Sequence, residues 1–224
     1  MHAASPSKTG GCALAAVVAL SLLLVGIGWQ QTGSASLGAR SIFGLSGKRF
    51  TNFKPIPKWQ TLLERYRAEE AKDARCRRLQ LGDCPYTEWK GLIDKLKYRD
   101  RMTQLREVND FANRWRYIED RVNWGVEDYW ETPGEFFAKA GDCEDFAIVK
   151  FMSLRALGFS NDELLLVAVK DQNLGIGHAV TLVSLHGETL LLDNQVKDVR
   201  PAKRVRHYQP VFSANETSWW LYRP

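Results

Sequence analysis

The sequence predicts an α+β fold, with helices in the first part of the chain and an antiparallel sheet in the second. Two observations carry that reading. Up to Gly158 the apolar residues recur at helical spacing, and beyond it they fall into short runs of strand length. Two of those later runs are joined by His186-Gly187, a hairpin signal. The 224 residues, 45% hydrophobic and 25% charged, suffice for one domain with a real core plus an N-terminal extension.

Taken in order, the chain opens with an apolar stretch, Cys12 to Trp29, that carries no charge and is preceded only by Lys8 and the N-terminus. It is short for a span of about 20 residues. The small residues Gly33 to Ser36 follow it, with cleavage expected after Ala35. Residues 1–35 therefore read as an export segment, cleaved or kept as a membrane anchor. Residues 36–58 are rich in Ser, Gly, Lys and Pro and read as a linker, which leaves 59–224 as the globular domain.

Trp59, Leu62, Leu63 and Tyr66 start a helix that runs to the Cys76 region. Trp89, Leu92, Ile93 and Leu96 mark a second. Leu105, Val108, Ala112, Trp115, Ile118 and Val122 mark a third. Thr132-Pro133-Gly134-Glu135 starts another, with Pro at the first position and a Thr…Glu capping box. A further helix follows Gly141 and ends at Gly158. Leu164 to Lys170 is a buried strand, and Asp171 to Gly177 a polar loop. His178 to Leu185 and Glu188 to Asn194 form the hairpin, and Trp219 to Tyr222 returns as a final strand.

The net charge of +5 is modest and spread along the chain. Its densest cluster, Arg75, Arg77 and Arg78, reads as a solvated helix face, so no nucleic-acid partner is expected. With Cys12 in the export region, Cys76 and Cys84 are spaced to close a small disulfide loop in an oxidising compartment. Cys143 is then the odd thiol.

That cysteine lies in Gly141-Asp142-Cys143-Glu144-Asp145-Phe146-Ala147. Asp142 is a good N-cap, which puts Cys143 in the first helical turn near the positive end of the dipole, where a thiol is acidified. Three neighbouring carboxylates oppose a thiolate, and they make more sense if a cation neutralises them. Acids are also ordinary first-turn residues, which is the plainer reading.

A nucleophilic cysteine needs a base and an orienting group. Of the four histidines, His178 opens a strand after a glycine-bearing loop, whereas His2, His186 and His207 lie in the export region, at a turn and in the basic tail. A two-residue turn at His186-Gly187 makes Leu185 face Glu188 and His178 face Gln195. Asp193 is then a diagonal neighbour of His178 on the same face, about 7–8 Å away at Cα. A three-residue loop would flip that parity. A nucleophile on a helix start, with His and Asp on adjacent strands, is the order of the papain-like and transglutaminase-like superfamily.

The run Trp124-Gly125-Val126-Glu127-Asp128-Tyr129-Trp130-Glu131-Thr132-Pro133, followed by Gly141 to Ala147, closely resembles the bacterial transglutaminase-like cysteine proteinases of the LapG type. Gly177-His178-Ala179-Val180 and Leu192-Asp193-Asn194 fall at the matching downstream places, so the likeness covers roughly residues 59 to 222. The resemblance implies a periplasmic, calcium-dependent cysteine endopeptidase that cuts a large surface adhesin near its N-terminus, between two alanines, and so promotes biofilm release. It also implies restraint by an inner-membrane receptor for cyclic di-GMP. Carried over, Cys143 is the nucleophile, His178 the base and Asp193 the orienting acid. Ca²⁺ falls to Asp142 and Glu144 with Asp145 as a third ligand, and Glu127 and Asp128 are further candidates left unranked.

By this reading the Cys143 amide is the oxyanion donor, and Trp124 or Trp130 walls a narrow groove or is plain core. The alternatives are an acyl transferase or a cell-wall peptide amidase of the same fold, or a binding module without activity.

Overall fold

The computed structural model describes residues 41–79 and 86–223. The apolar stretch 12–29, Ala35 and Cys84 lie outside them, and with them the expected export segment and the Cys76–Cys84 pairing. Among the described residues no helix is long and apolar enough to cross a membrane.

The chain begins with a short hairpin, β1 (Ser41–Ile42) and β2 (Leu45–Phe50). The helices follow: α1 (Pro57–Leu79), α2 (Thr87–Leu96), α3 (Arg101–Ala112), α4 (Asp120–Asn123), α5 (Pro133–Lys139) and α6 (Cys143–Ala156). Then come β3 (Leu164–Asp171), β4 (Ile176–Leu185), β5 (Glu188–Leu192), β6 (Arg200–Pro201), β7 (Tyr208–Ala214) and β8 (Trp219–Tyr222). The eight strands form one sheet in the order β1-β2-β8-β7-β3-β4-β5-β6, each neighbour antiparallel. The fold class is the α+β arrangement expected.

Two expectations change. The stretch read as a linker contains β2, which pairs with β8 from Gly47 opposite Tyr222 to Phe50 opposite Trp219. Its Ser/Gly/Lys content hides a strand because the residues that stabilise it are some 170 positions away; Phe50 stacks on Trp219 at 4.6 Å. The third helix stops at Ala112 instead of continuing to Val122, which is 78% exposed. Beyond it the chain turns back, and Ile118 N–H donates to the Gly141 carbonyl at 2.9 Å.

Helix α6 is the centre of the molecule. Every residue from Cys143 to Leu154 is buried, so its sequence lacks the polar stripe of a surface helix. The sheet covers one side, where the Thr181 hydroxyl of β4 donates to the Ala147 carbonyl at 2.7 Å. Helix α2 covers another, with the Trp89 indole donating to Ser153 Oγ at 2.8 Å. A core of Trp59, Phe151, Leu166, Ala179 and Phe212 fills the space between helices and sheet. A second apolar layer, including Val167, Val180, Leu182, Tyr208 and Trp220, lies on the sheet's other face.

Candidate active site

The candidate site has two parts, one at the start of α6 and one on the sheet, and α6 packs on β4. The first is the start of α6. The Thr132 capping box, with Pro133 at N1, starts α5, which ends at Ala140 in the left-handed region (φ 64°). Gly141 follows, and a Cβ there would lie 2.2 Å from Asp145 Oδ2, so only glycine lets the chain pass this close to that carboxylate. Asp142 then caps α6 in an extended conformation, and Cys143 is its first residue.

Asp145 does structural work. Its Oδ1 accepts from Glu131 N at 2.7 Å and its Oδ2 from Asp142 N at 3.0 Å. Expected as a third metal ligand, it instead spends both oxygens on backbone donors. The acids gathered beside Cys143 are the other two expected ligands, Asp142 and Glu144, and Asp120 and Asp128 join Glu144. Single carboxylate oxygens of Asp120, Asp128 and Glu144 lie within 4.8 Å of one another, and those of Asp142 and Glu144 lie equally close to Cys143 Sγ. Asp120 comes from α4 and Asp128 from the loop after it, so this second source of acids is not contiguous with the cysteine.

The cluster has the donor chemistry that a hard cation takes. Calcium binds six to eight oxygens at about 2.3–2.6 Å. Asp120 uses Oδ2 to accept from Tyr129 N, and Asp128 uses Oδ2 to pair with Lys58, while Oδ1 of each is buried with no hydrogen-bond partner. Burial pushes the Asp120 carboxyl up to about 6, with the charges of Asp142 and Asp128 adding to it against the Tyr129 amide. Burial and Asp142 hold Glu144 well above the carboxylate range, and burial raises Asp142 itself. Four carboxylates this close are costly as anions without a cation between them.

Both described cysteines, Cys76 and Cys143, are disulfide-bonded in this structure. Cys143 is therefore not the odd thiol that the cysteine count suggests, and chemistry at its sulfur starts from the reduced form. The sulfur lies 3.3 Å from Glu144 Oε2 and is buried.

The second half-site is on the sheet. The β4–β5 turn is the two-residue one expected, with His186 at φ 51° and Gly187 at φ 79°, both positive as the primed turn requires. Leu185 pairs with Glu188 and Thr181 with Leu192, the register that places Asp193 diagonal to His178. The two side chains meet: His178 Nε2 is 2.9 Å from Asp193 Oδ1, and both are wholly buried. The carboxylate therefore holds the Nε2 proton and leaves Nδ1 as the basic nitrogen. The Gln195 side-chain amide lies 3.4 Å from Nδ1, and Gln195 N donates to Asp193 Oδ1 at 2.9 Å.

Asp193 also accepts from the Tyr208 hydroxyl at Oδ2, 2.7 Å away. Burial alone would raise its carboxyl, but the hydrogen bond and charge of His178, the Gln195 amide and Lys150 outweigh it and hold Asp193 below its ordinary value. Lys150, on α6, is fully buried with no hydrogen-bond partner at Nζ, and burial lowers it to about 7.

Of the two tryptophans, Trp130 is core, stacked on Phe212 and edge-on to Trp59. Trp124 is half-buried, donates to Glu131 Oε1 at 2.5 Å and lies under Lys139 Nζ. It lines a cavity of about 500 Å³ with Glu69, Tyr86 and Phe137, apart from both half-sites. Sequence reasoning missed Asp120, Tyr208 and buried Glu131. The first two have no local signature, while Glu131 stands inside the Trp-Gly…Thr-Pro run.

The family model described as bacterial transglutaminase-like cysteine proteinase matches residues 75–222. Calcium-bound LapG of Legionella pneumophila is 32% identical with a TM-score of 0.58, over 67% of this chain and 87% of that one. The EGTA-treated form of the same protein is 31% identical with a TM-score of 0.56, over 71% and 84%. No curated protein matches the chain.

Proposed function

Because this chain belongs to the bacterial transglutaminase-like cysteine proteinases, we propose that it is a calcium-dependent cysteine endopeptidase working through Cys143, His178 and Asp193. The observation that carries this reading is that α6, which begins with Cys143 among buried acids, packs on β4, the strand that bears His178 with Asp193 hydrogen-bonded to it. A calcium-bound relative of the same family supports the metal.

In the proposed reaction the reduced Cys143 sulfur attacks the scissile carbonyl, with the Cys143 backbone N–H as oxyanion donor. His178 takes the thiol proton at Nδ1, gives it to the leaving amine, and then draws a proton from water to release the acyl group. Asp193 keeps the imidazole in that tautomer throughout. Asp120, Asp128, Asp142 and Glu144 are the residues that would hold calcium, whose charge would offset the anions facing the sulfur.

The substrate we propose is a large surface adhesin cut near its N-terminus at a di-alanine site, outside the inner membrane, with biofilm release as the consequence. A membrane receptor for cyclic di-GMP is the proposed restraint. The family resemblance alone supports these last assignments.

The test uses the reduced full chain and an adhesin N-terminal fragment in H₂¹⁸O. Hydrolysis puts one ¹⁸O on the new C-terminus. An amine adduct there would instead identify the acyl transferase, and release of stem peptides from cell wall the amidase.

A further inference from the structure

We propose that Tyr208 is a positioning residue for the His178–Asp193 pair, so that the site works as a four-residue relay and not as a triad alone. This rests on the protease reading above. Asp193 has two oxygens to satisfy in a fully buried place. Oδ1 is shared by His178 Nε2 and Gln195 N, both at 2.9 Å, and leaves Oδ2 to a single donor, the Tyr208 hydroxyl at 2.7 Å. Without that bond the carboxylate could rotate about its terminal torsion, which is soft, and exchange the oxygen that faces the imidazole.

The tyrosine is itself fixed. It is buried, its ring centroid lies 5.5 Å from that of His178 and 4.5 Å from that of His207, and its strand pairs with β3 through Asp171. Its hydroxyl is held protonated by burial and by the Asp193 charge, and so remains a donor across the working range. It touches no reacting atom; it acts through Asp193.

The experiment compares the reduced full chain with Tyr208→Phe, Asp193→Asn and the double variant, in kinetics and in the water exchange of the His178 Nε2 proton followed by NMR. Tyr208→Phe should lower kcat about tenfold with KM within about twofold, as loss of a charge-assisted hydrogen bond predicts. It should add nothing in the Asp193→Asn background, where there is no carboxylate to orient. The Nε2 proton should exchange about tenfold faster in Tyr208→Phe. A merely structural tyrosine predicts additive losses and unchanged exchange, and that result overturns the proposal. Phenylalanine keeps the ring packing, and exchange is read on folded protein whether or not any peptide is cut. If the wild-type chain cuts nothing, the protease reading fails while the exchange rates still decide the role of Tyr208.

Discussion

His178 Nε2 and Asp193 Oδ1 stand 2.9 Å apart with both side chains out of solvent, although 15 residues separate them in the chain. The amide in Asp193→Asn can present the wrong atom to Nε2–H and favour the other tautomer. Activity should fall on the order of 10³-fold or more, with the fold intact by circular dichroism. Asp193 is depressed in the folded protein, so its stabilising contribution is complete above the unfolded carboxylate pKa and is lost as pH falls through the lower folded one. Wild type should therefore lose more stability than Asp193→Asn on acidification below about pH 4, read by thermal melts.

Asp120 and Asp145 should separate metal binding from architecture. Asp120→Asn removes a charge from the cluster, and calcium affinity measured by calorimetry should drop about tenfold or more. Asp145→Asn disturbs the acceptors for Glu131 N and Asp142 N, so it should cost about 1–3 kcal/mol of stability and reduce calcium affinity less than Asp120→Asn does.

Acid–base linkage gives the calcium effect a direction. Asp120, raised to about 6, binds protons in the folded state that it has already lost when unfolded, so stability without calcium should fall as pH rises from about 4 through 6. Calcium competes with those protons. The melting temperature gained from saturating calcium should be larger at pH 8 than at pH 5; a gain that shrinks with rising pH would contradict the four-acid site.

Lys150 should be a stability liability. Its amine, lowered to about 7 by burial, is charged more readily in the unfolded chain, so the penalty is full below pH 7 and fades towards the ordinary lysine value. Lys150→Met should be more stable than wild type at pH 6, by about 1–4 kcal/mol. The difference should narrow by pH 10, measured by denaturant titration.

How much of this was legible depends on the range over which each feature is specified. The hairpin turn is written in two adjacent residues, His186 and Gly187, and it alone sets the register that brings Asp193 to His178. The helix start at Cys143 is equally local. Asp120 was not legible, because it joins Glu144 only after the chain leaves α3 and runs back to Gly141. Tyr208 is brought to Asp193 by the pairing of β7 with β3, across more than 30 residues of sequence. Asp145 reads two ways in sequence for a physical reason: an acid at the third position of a helix is as suited to the N-cap amide as to a cation.

The most direct test of the central claim is the rate at which the reduced full chain cuts an adhesin N-terminal fragment, for wild type and Cys143→Ala, each with calcium or with EGTA. A single cut seen only with wild type and calcium is the result predicted. Cleavage that survives in Cys143→Ala would contradict the nucleophile, and wild-type cleavage at an equal rate in EGTA would contradict the calcium site.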